Sequence, residues 1–413
     1  MNTILIIGKS FSNLTTYLKS HDISYVVLKD SLQRKDTAKR YKNIIFCDFD
    51  DETAMLQIAA SVAAERSVGG VMATYEQYVL AAAKIAAHLH VPALPIAAAR
   101  ACTDKSLMRE LFAKAPEKIS PNYTVVHSEA EVRVFAEAHH FPLILKPANL
   151  SKSLLVSKCE SMDELIETYK RTHERMAAVY AKYAPHTTPK LLIEEFMEGS
   201  VHSVDVFVDA TGTPQVLNEV VDYQTGYDVG YNDNFHYSRL LPSSLPADQI
   251  AAIRHVAELG CRALGMKNSP AHVEIILTNE GPRIVEIGAR NGGYRERMHL
   301  LGNGIDITGN ALQLAFGQQP DITASKQECV GVFELFPKQP GIFEGLRHED
   351  TLKSLPSFYY LSQKVEVGEF AGKSSDGFKM CAVVILHHAD AAQFARDKAF
   401  LDTKVEVRTR SAD

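Results

Sequence analysis

The stretch "GPRIVEIGARNGGYRERM", Gly281 to Met298, decides how this chain is read. It starts as a strand, with Ile284, Val285 and Ile287 apolar. It nevertheless carries Glu286 inside that run, then passes into Arg290, the pair Gly292-Gly293, Arg295 and Arg297. A carboxylate among apolar neighbours is costly unless something compensates its charge. Just upstream, "HVEIIL" has the same feature at Glu274, and the short Asn279-Glu280-Gly281 link predicts that the two strands form a hairpin. Two explanations stand side by side: solvent-facing positions on half-exposed strands, or a divalent cation that compensates both charges. Mg²⁺ takes oxygen ligands from one or two carboxylates and completes its shell with water and nucleotide phosphates.

Phosphates require positive charge beside such a metal, and two lysines have suitable settings. Lys105 opens the predicted helix "KSLMRELF", with Thr103 or Asp104 as its N-cap, and Lys146 ends the apolar strand "LILKP", where it is expected at a sheet edge. An isolated lysine is more often a solvated surface residue.

Composition agrees with a soluble globular protein built from two or three domains. The chain has 413 residues, 46% hydrophobic and 23% charged, and a formal net charge of −6, which speaks against nucleic acid as the main partner. Six widely spaced cysteines without metal-ligand spacing read as reduced thiols, and no apolar run reaches the roughly 18 to 20 residues of a membrane span. The first residues, "MNTILIIGKS", read as a strand rather than a signal peptide, so the expected location is the cytoplasm.

The pattern predicts an α/β and α+β multidomain chain. Residues 1–98 alternate strands ("TILIIG", "SYVVLK", "NIIFCD") with helices, as in a small parallel α/β domain. "GKSFSN" lacks the further glycines of a dinucleotide or P-loop motif. Residues 99–195 read as a helical link and a small α+β unit, and residues 196–413 as a larger, strand-rich domain. In that last region "PQVLNEVVDY", "KVEVGEF" and "MCAVVILHH" are expected strands, and "DYQTGYDVGYNDNFHYSR" and "GKSSDGFKM" are expected loops.

The ordered set "DKSLMRELF", "LILKPANLSKS", "LLIEEFMEGS", "AHVEIIL" and "RIVEIGARNGG" resembles the ATP-grasp ligases over essentially the whole chain. "ELFPKQPGIFEGL" further resembles the branch containing bacterial L-amino-acid (dipeptide) ligases. The resemblance implies an ATP-grasp fold with an N-terminal parallel α/β domain, residues 99–195 including the small lid and residues 320–413 being a C-terminal elaboration. It implies an ATP-dependent ligase that joins two amino acids through an acyl-phosphate, with ATP and Mg²⁺ (or Mn²⁺) as cofactors. Carboxylase or purine-pathway chemistry, and a non-catalytic nucleotide-binding relative, remain as alternatives. Expected partners are small amino acids, with neither nucleic acid nor membrane, and a homodimer is the assembly to test.

Residue by residue, the resemblance assigns Lys105 and Lys146 to the nucleotide phosphates, and Glu194, Glu195, Phe196 and Met197 to a hinge presenting backbone groups to adenine. Glu274 and Glu286 become the metal ligands, and Arg290 contacts the transferring phosphoryl group or acyl-phosphate. His272, Arg297 and, for a cationic side chain, Asp376 are candidate substrate residues. Arg295 shares the role of Arg297, and an Asp-Gly turn is the plainer reading of Asp376. Three departures stand out. The phosphate-covering loop has no glycine, leaving Ser151, Lys152 and Ser153 to do the covering. Val201 and His202 stand where many relatives have a ribose-binding glutamate, and Gly288 stands where Asn is frequent.

Overall fold

A computed structural model describes residues 3–8, 12–31, 43–150, 154–184, 187–233 and 235–411. Strands are numbered β1 to β20 in chain order. β1 (Thr3–Ile7), β2 (Ser24–Asp30), β3 (Ile44–Cys47) and β4 (Val68–Ala73) form a parallel sheet in the order β3-β2-β1-β4. Ile4 to Ile7 are all fully buried, as a parallel strand covered on both faces requires. One face packs on the helices Glu52–Glu65 and Val79–His88, and the other meets Leu312 and Ala315 of the distant helix Ile307–Ala315. The N-terminal domain is thereby set directly against the C-terminal half.

The second sheet is antiparallel, ordered β5 (Tyr123–Val126), β8 (Leu191–Glu195), β6 (Leu143–Pro147), β7 (Ser157–Cys159). Helices Glu129–Ala138 and Met162–Tyr183 bury Val132, Phe135, Leu165, Ile166 and Tyr169 against it. β6 pairs on both sides, so Lys146 lies on an interior strand rather than at the expected sheet edge.

The largest sheet runs β14 (Gly281–Gly288), β13 (Ser269–Thr278), β9 (Gly199–Val208), β11 (Val221–Thr225), β12 (His236–Leu241), β15 (Cys329–Leu335), β19 (Ala382–His388), β17 (Phe358–Gln363). β10 (Pro214–Val216) pairs with β9. Its core under β9, β13 and β14 also takes in Met108 and Phe112, so the helix Lys105–Phe112, grouped with the lid by the sequence pattern, packs on the large sheet. A three-stranded sheet of β18 (Phe370–Ala371), β16 (Gly341–Leu346) and β20 (Val407–Arg410) lies near the C-terminus.

Three local expectations are corrected. "PQVLNEVVDY" is split between β10 and β11, and the presumed loop after it contains β12. "KVEVGEF" is not a strand: Gly368 sits at a φ of +98° in a turn closed by Glu366 and Glu369, and the strand is the preceding "FYYLSQ". The helix Arg295–Gly302 follows a left-handed Tyr294 and lays Arg295, Met298 and His299 onto the large sheet, which the strand-rich pattern did not announce.

Candidate functional site

The hairpin places Glu274 and Glu286 opposite one another in register. Their side chains are one-quarter and one-third exposed, neither sealed in the core nor loose in solvent. Glu286 receives Lys105, whose Nζ lies 2.6 Å from Oε2 and also donates to the Leu150 carbonyl. Lys105 is placed by its helix start: Asp104 caps the helix by accepting from the Ser106 amide at 2.9 Å, and is itself held by Lys190 at 2.7 Å. Burial works against the Lys105 charge, but the Glu286 carboxylate outweighs it and raises the pKa above its ordinary value.

Arg290 follows two residues after the end of β14, with Nε 3.0 Å from Oε2 of Glu76. Glu76 sits in a single helical turn of the N-terminal domain and was missed by the sequence reading. Burial pushes its carboxyl pKa upward, against the pull of Arg290. The partnership also accounts for Gly288. A Cβ there would stand 2.7 Å from Glu76 Oε2, so the space that a larger residue would take is filled from another domain.

Behind Glu274 lies a buried charged hub. Asp205 on β9 contacts His272 Nδ1 at 2.9 Å, His299 Nε2 at 3.1 Å and Arg295 Nε at 3.3 Å. Arg295, fully buried, donates to Ser203 at 2.8 Å and to Tyr223 at 2.5 Å. Burial disfavours a charged His272, but the Asp205 carboxylate overrides this and holds its pKa up to about 10. His272 in turn sits 3.6 Å from Glu274. Burial would raise the Glu274 pKa, and the surrounding His272, His236 and Arg290 hold it well below the usual carboxylate range. His272 is thus a held, charged neighbour of Glu274, not an open pocket wall. Arg295 is committed to the hub rather than free for a substrate.

The sheet of β5 to β8 contributes a second buried ionic group. Lys146 Nζ lies 2.6 Å from Glu194 Oε2, and Arg109 Nε lies 2.9 Å from Glu194 Oε1. All three side chains are nearly or wholly inaccessible, so Lys146 is a core residue, contrary to expectation. Burial drives the Lys146 pKa down to about 8 despite its carboxylate partner, with Arg109 and Lys105 adding to the effect. For Glu194, burial is outweighed by the two cations and the pKa falls to about 2. The Glu194 side chain is therefore engaged with cations. Glu195 bonds Asn122, Phe196 lies under the Lys158 ammonium at 4.4 Å, and residues 196–198, including Met197, link β8 of the four-stranded sheet to β9 of the large sheet.

The remaining candidates divide. Arg297 stacks over Tyr360 at 4.5 Å, away from the hub its neighbour Arg295 joins. Asp376 is exposed in a turn before Gly377, which has a φ of +85°, and the backbone of that turn is fastened by Asp233 accepting from Ser374 and Ser375. This is the turn reading, and no contact joins Asp376 to Glu274, Glu286 or Arg290 among the described residues. Ser151, Lys152 and Ser153 lie outside the described residues. His202 is buried and bonded to Ser200 and Asp222, so it is not poised for a ribose.

The donor set fits a hard cation. Two adjacent carboxylates, each paired through one oxygen with a cationic neighbour, supply charge and oxygen ligands but only part of a coordination shell. Among the described residues, no group of three or more His, Cys, Asp or Glu side chains forms a self-sufficient metal site. A Mg²⁺ ion held here would need phosphate oxygens and water to complete its shell.

Comparison with known proteins gives the family and the fold. Residues 139–296 match the ATP-grasp domain family and residues 23–93 the ATP-grasp N-terminal domain family. The chain belongs to the ATP-grasp superfamily. It is 24% identical to the alanine–anticapsin ligase of Bacillus subtilis over 319 residues, which is 72% of this chain and 66%, just under two thirds, of that ligase. Its fold is similar to the L-amino acid ligase from Bacillus licheniformis, with a TM-score of 0.80 and 18% identity, covering 100% of this chain and 99% of the other. It is also similar to phosphoribosylglycinamide synthetase from Anaerococcus prevotii, with a TM-score of 0.70, 16% identity and coverage of 99% and 100%. No helix among the described residues is long and apolar enough to cross a membrane.

Proposed function

We propose that the protein is an ATP- and Mg²⁺-dependent carboxylate–amine ligase that joins two amino acids, releasing ADP and phosphate. The observation that carries this reading is the convergence of Glu274, Glu286, Lys105 and Arg290 on one end of the β13–β14 hairpin, with Lys146 presented by the lid sheet. In this reading Lys105 and Lys146 bind phosphate oxygens, and backbone groups of the hinge at residues 194–197 receive the adenine. Glu274 and Glu286 would hold Mg²⁺, which when bound would supply neutralisation of the phosphate charge.

A carboxylate oxygen of the first amino acid forms a bond to the γ-phosphorus while the bond to the ADP oxygen breaks, giving an acyl-phosphate. The amine of the second attacks the acyl carbon, loses a proton, and expels phosphate as the amide forms. Arg290, oriented by Glu76, meets the negative charge on the transferring group. Closure of the lid about the residue 196–198 link would keep water from the acyl-phosphate. The similarity to the L-amino acid ligase and to alanine–anticapsin ligase supports amino acids as substrates. The test is a phosphate-release screen of all amino-acid pairs with MgATP, with bicarbonate and formate as competing carboxylates. Release that requires two amino acids supports the reading, and release driven by bicarbonate or formate, or by no added substrate, replaces it.

A further inference from the structure

Arg109 lies on the helix Lys105–Phe112, one turn beyond Lys105, and its side chain is fully buried. It touches neither Glu274 nor Glu286. Its Nε and Nη2 reach the two carboxylate oxygens of Glu194 at 2.9 and 3.4 Å, and Nη2 also donates to the Val285 carbonyl at 2.8 Å. Val285 is the residue before Glu286, so one guanidinium joins a lid strand to the strand that carries the metal carboxylate. A planar fork makes this link with a fixed two-point grip on the carboxylate, which a single ammonium nitrogen does not provide.

The charges inside this cluster do not balance. Glu194 is one anion shared by two cations, Arg109 and Lys146, and Nη1 of Arg109 has no hydrogen bond among the described residues. An excess of buried positive charge is unfavourable in isolation and is relieved by an incoming anion. Of the two cations, Arg109 is fixed by three contacts, whereas Lys146 holds one ion pair among the described residues, at the end of a flexible stem. Lys146 is therefore the member free to exchange its partner.

We propose that Arg109 is a positioning residue of the nucleotide site, which keeps Glu194 satisfied so that Lys146 can leave it for a nucleotide phosphate. Without Arg109, Glu194 has Lys146 as its sole cation and holds it back. The same contact to Val285 carries the engagement of the lid lysine to the backbone beside Glu286. This inference rests on Lys146 being a phosphate ligand.

The test is MgADP binding by calorimetry as a function of pH. The groups facing Lys146 are Glu194 from β8 and Arg109 and Lys105 from the helix. In the native protein affinity should fall as the pH rises through about 8, where buried Lys146 loses its proton. Arg109→Met should weaken MgADP at least tenfold at neutral pH and move the alkaline limb upward, because Lys146 then sits against an unshared carboxylate. Arg109→Met/Glu194→Gln removes both charges together, so it also serves should the single variant fail to fold. It should move the limb below that of the native protein, because the stabilising carboxylate is gone. Opposite movements support the proposal. A limb that stays in place in every folded variant, with unchanged affinity, overturns it. Lys146→Met separates the two levels: if it leaves MgADP affinity intact, the phosphate-ligand reading itself fails, whereas if it abolishes binding while Arg109→Met is silent, only the role of Arg109 is lost.

Discussion

Replacing Lys146 with Met tests the nucleotide site without confusing it with folding. The lysine ammonium is buried beside Glu194, yet its pKa is lowered from 10.5 to about 8. At about 1.4 kcal/mol for each tenfold, the site disfavours the protonated side chain relative to the neutral one by about 3 kcal/mol more than water does in the nucleotide-free protein. Methionine has a similar volume and no charge, and Glu194 keeps the Arg109 fork at 2.9 and 3.4 Å. The variant should therefore melt at the same temperature as the native protein or a few degrees higher when no nucleotide is present. A lysine whose folded pKa is depressed disfavours the fold below that pKa, and the penalty fades as the pH rises from about 8 towards its unfolded value. The advantage of the variant should accordingly be largest at neutral pH and shrink near pH 10. With MgADP the order should reverse, because the native protein gains a phosphate contact that the variant cannot make. Differential scanning fluorimetry at pH 7 and pH 10, with and without MgADP, reads both effects. A variant that melts far below the native protein without nucleotide, while MgADP stabilises both equally, would show that Lys146 is a structural cation.

Two further substitutions probe the hairpin end. Glu286→Gln should lower turnover a hundredfold or more, about 3 kcal/mol of transition-state stabilisation, measured as phosphate release. Relief of repulsion with Glu274 alone would favour stability. Lys105, only 16% exposed and 2.6 Å away, loses its carboxylate, so the metal-free variant should instead be weaker by about 1 kcal/mol in chemical denaturation. Gly288→Ala would set a methyl group 2.7 Å from Glu76 Oε2 and push that carboxylate off Arg290. The expected outcome is a loss of about 1 to 3 kcal/mol in stability with a slower rate, and a variant equal to the native protein on both counts would remove Glu76 as the holder of Arg290.

What the sequence disclosed was local. The two glutamates announced themselves because a charge interrupts an apolar strand, and the short link between them predicted the hairpin that puts Glu274 opposite Glu286. Lys105 was legible through the cap at Asp104. Glu76 was not, because "TYEQY" offers an ordinary glutamate and its partner Arg290 lies more than two hundred residues away. Arg109 was hidden for a related reason: a basic residue on an amphipathic helix resembles a solvated charge until β8 arrives with Glu194 to pair with it. Asp205 did leave a signal, an acid in the alternation of "SVDVFV", of the same kind that exposed Glu274. The false strand "KVEVGEF" shows the opposite hazard, since two residues of alternation on either side of a turn glycine have the period of a strand without its partners.

The central claim is phosphoryl transfer to a carboxylate, and the fate of a carboxylate oxygen tests it most directly. An acyl-phosphate retains one oxygen of the first amino acid on phosphorus, and that oxygen leaves with the phosphate when the amine attacks. With an amino acid labelled with ¹⁸O in its carboxylate, an unlabelled amine partner and MgATP, mass spectrometry should find one labelled oxygen in the released phosphate, ADP as the nucleotide product, and one amide per phosphate. Label appearing in AMP, or phosphate released without label, would contradict the account.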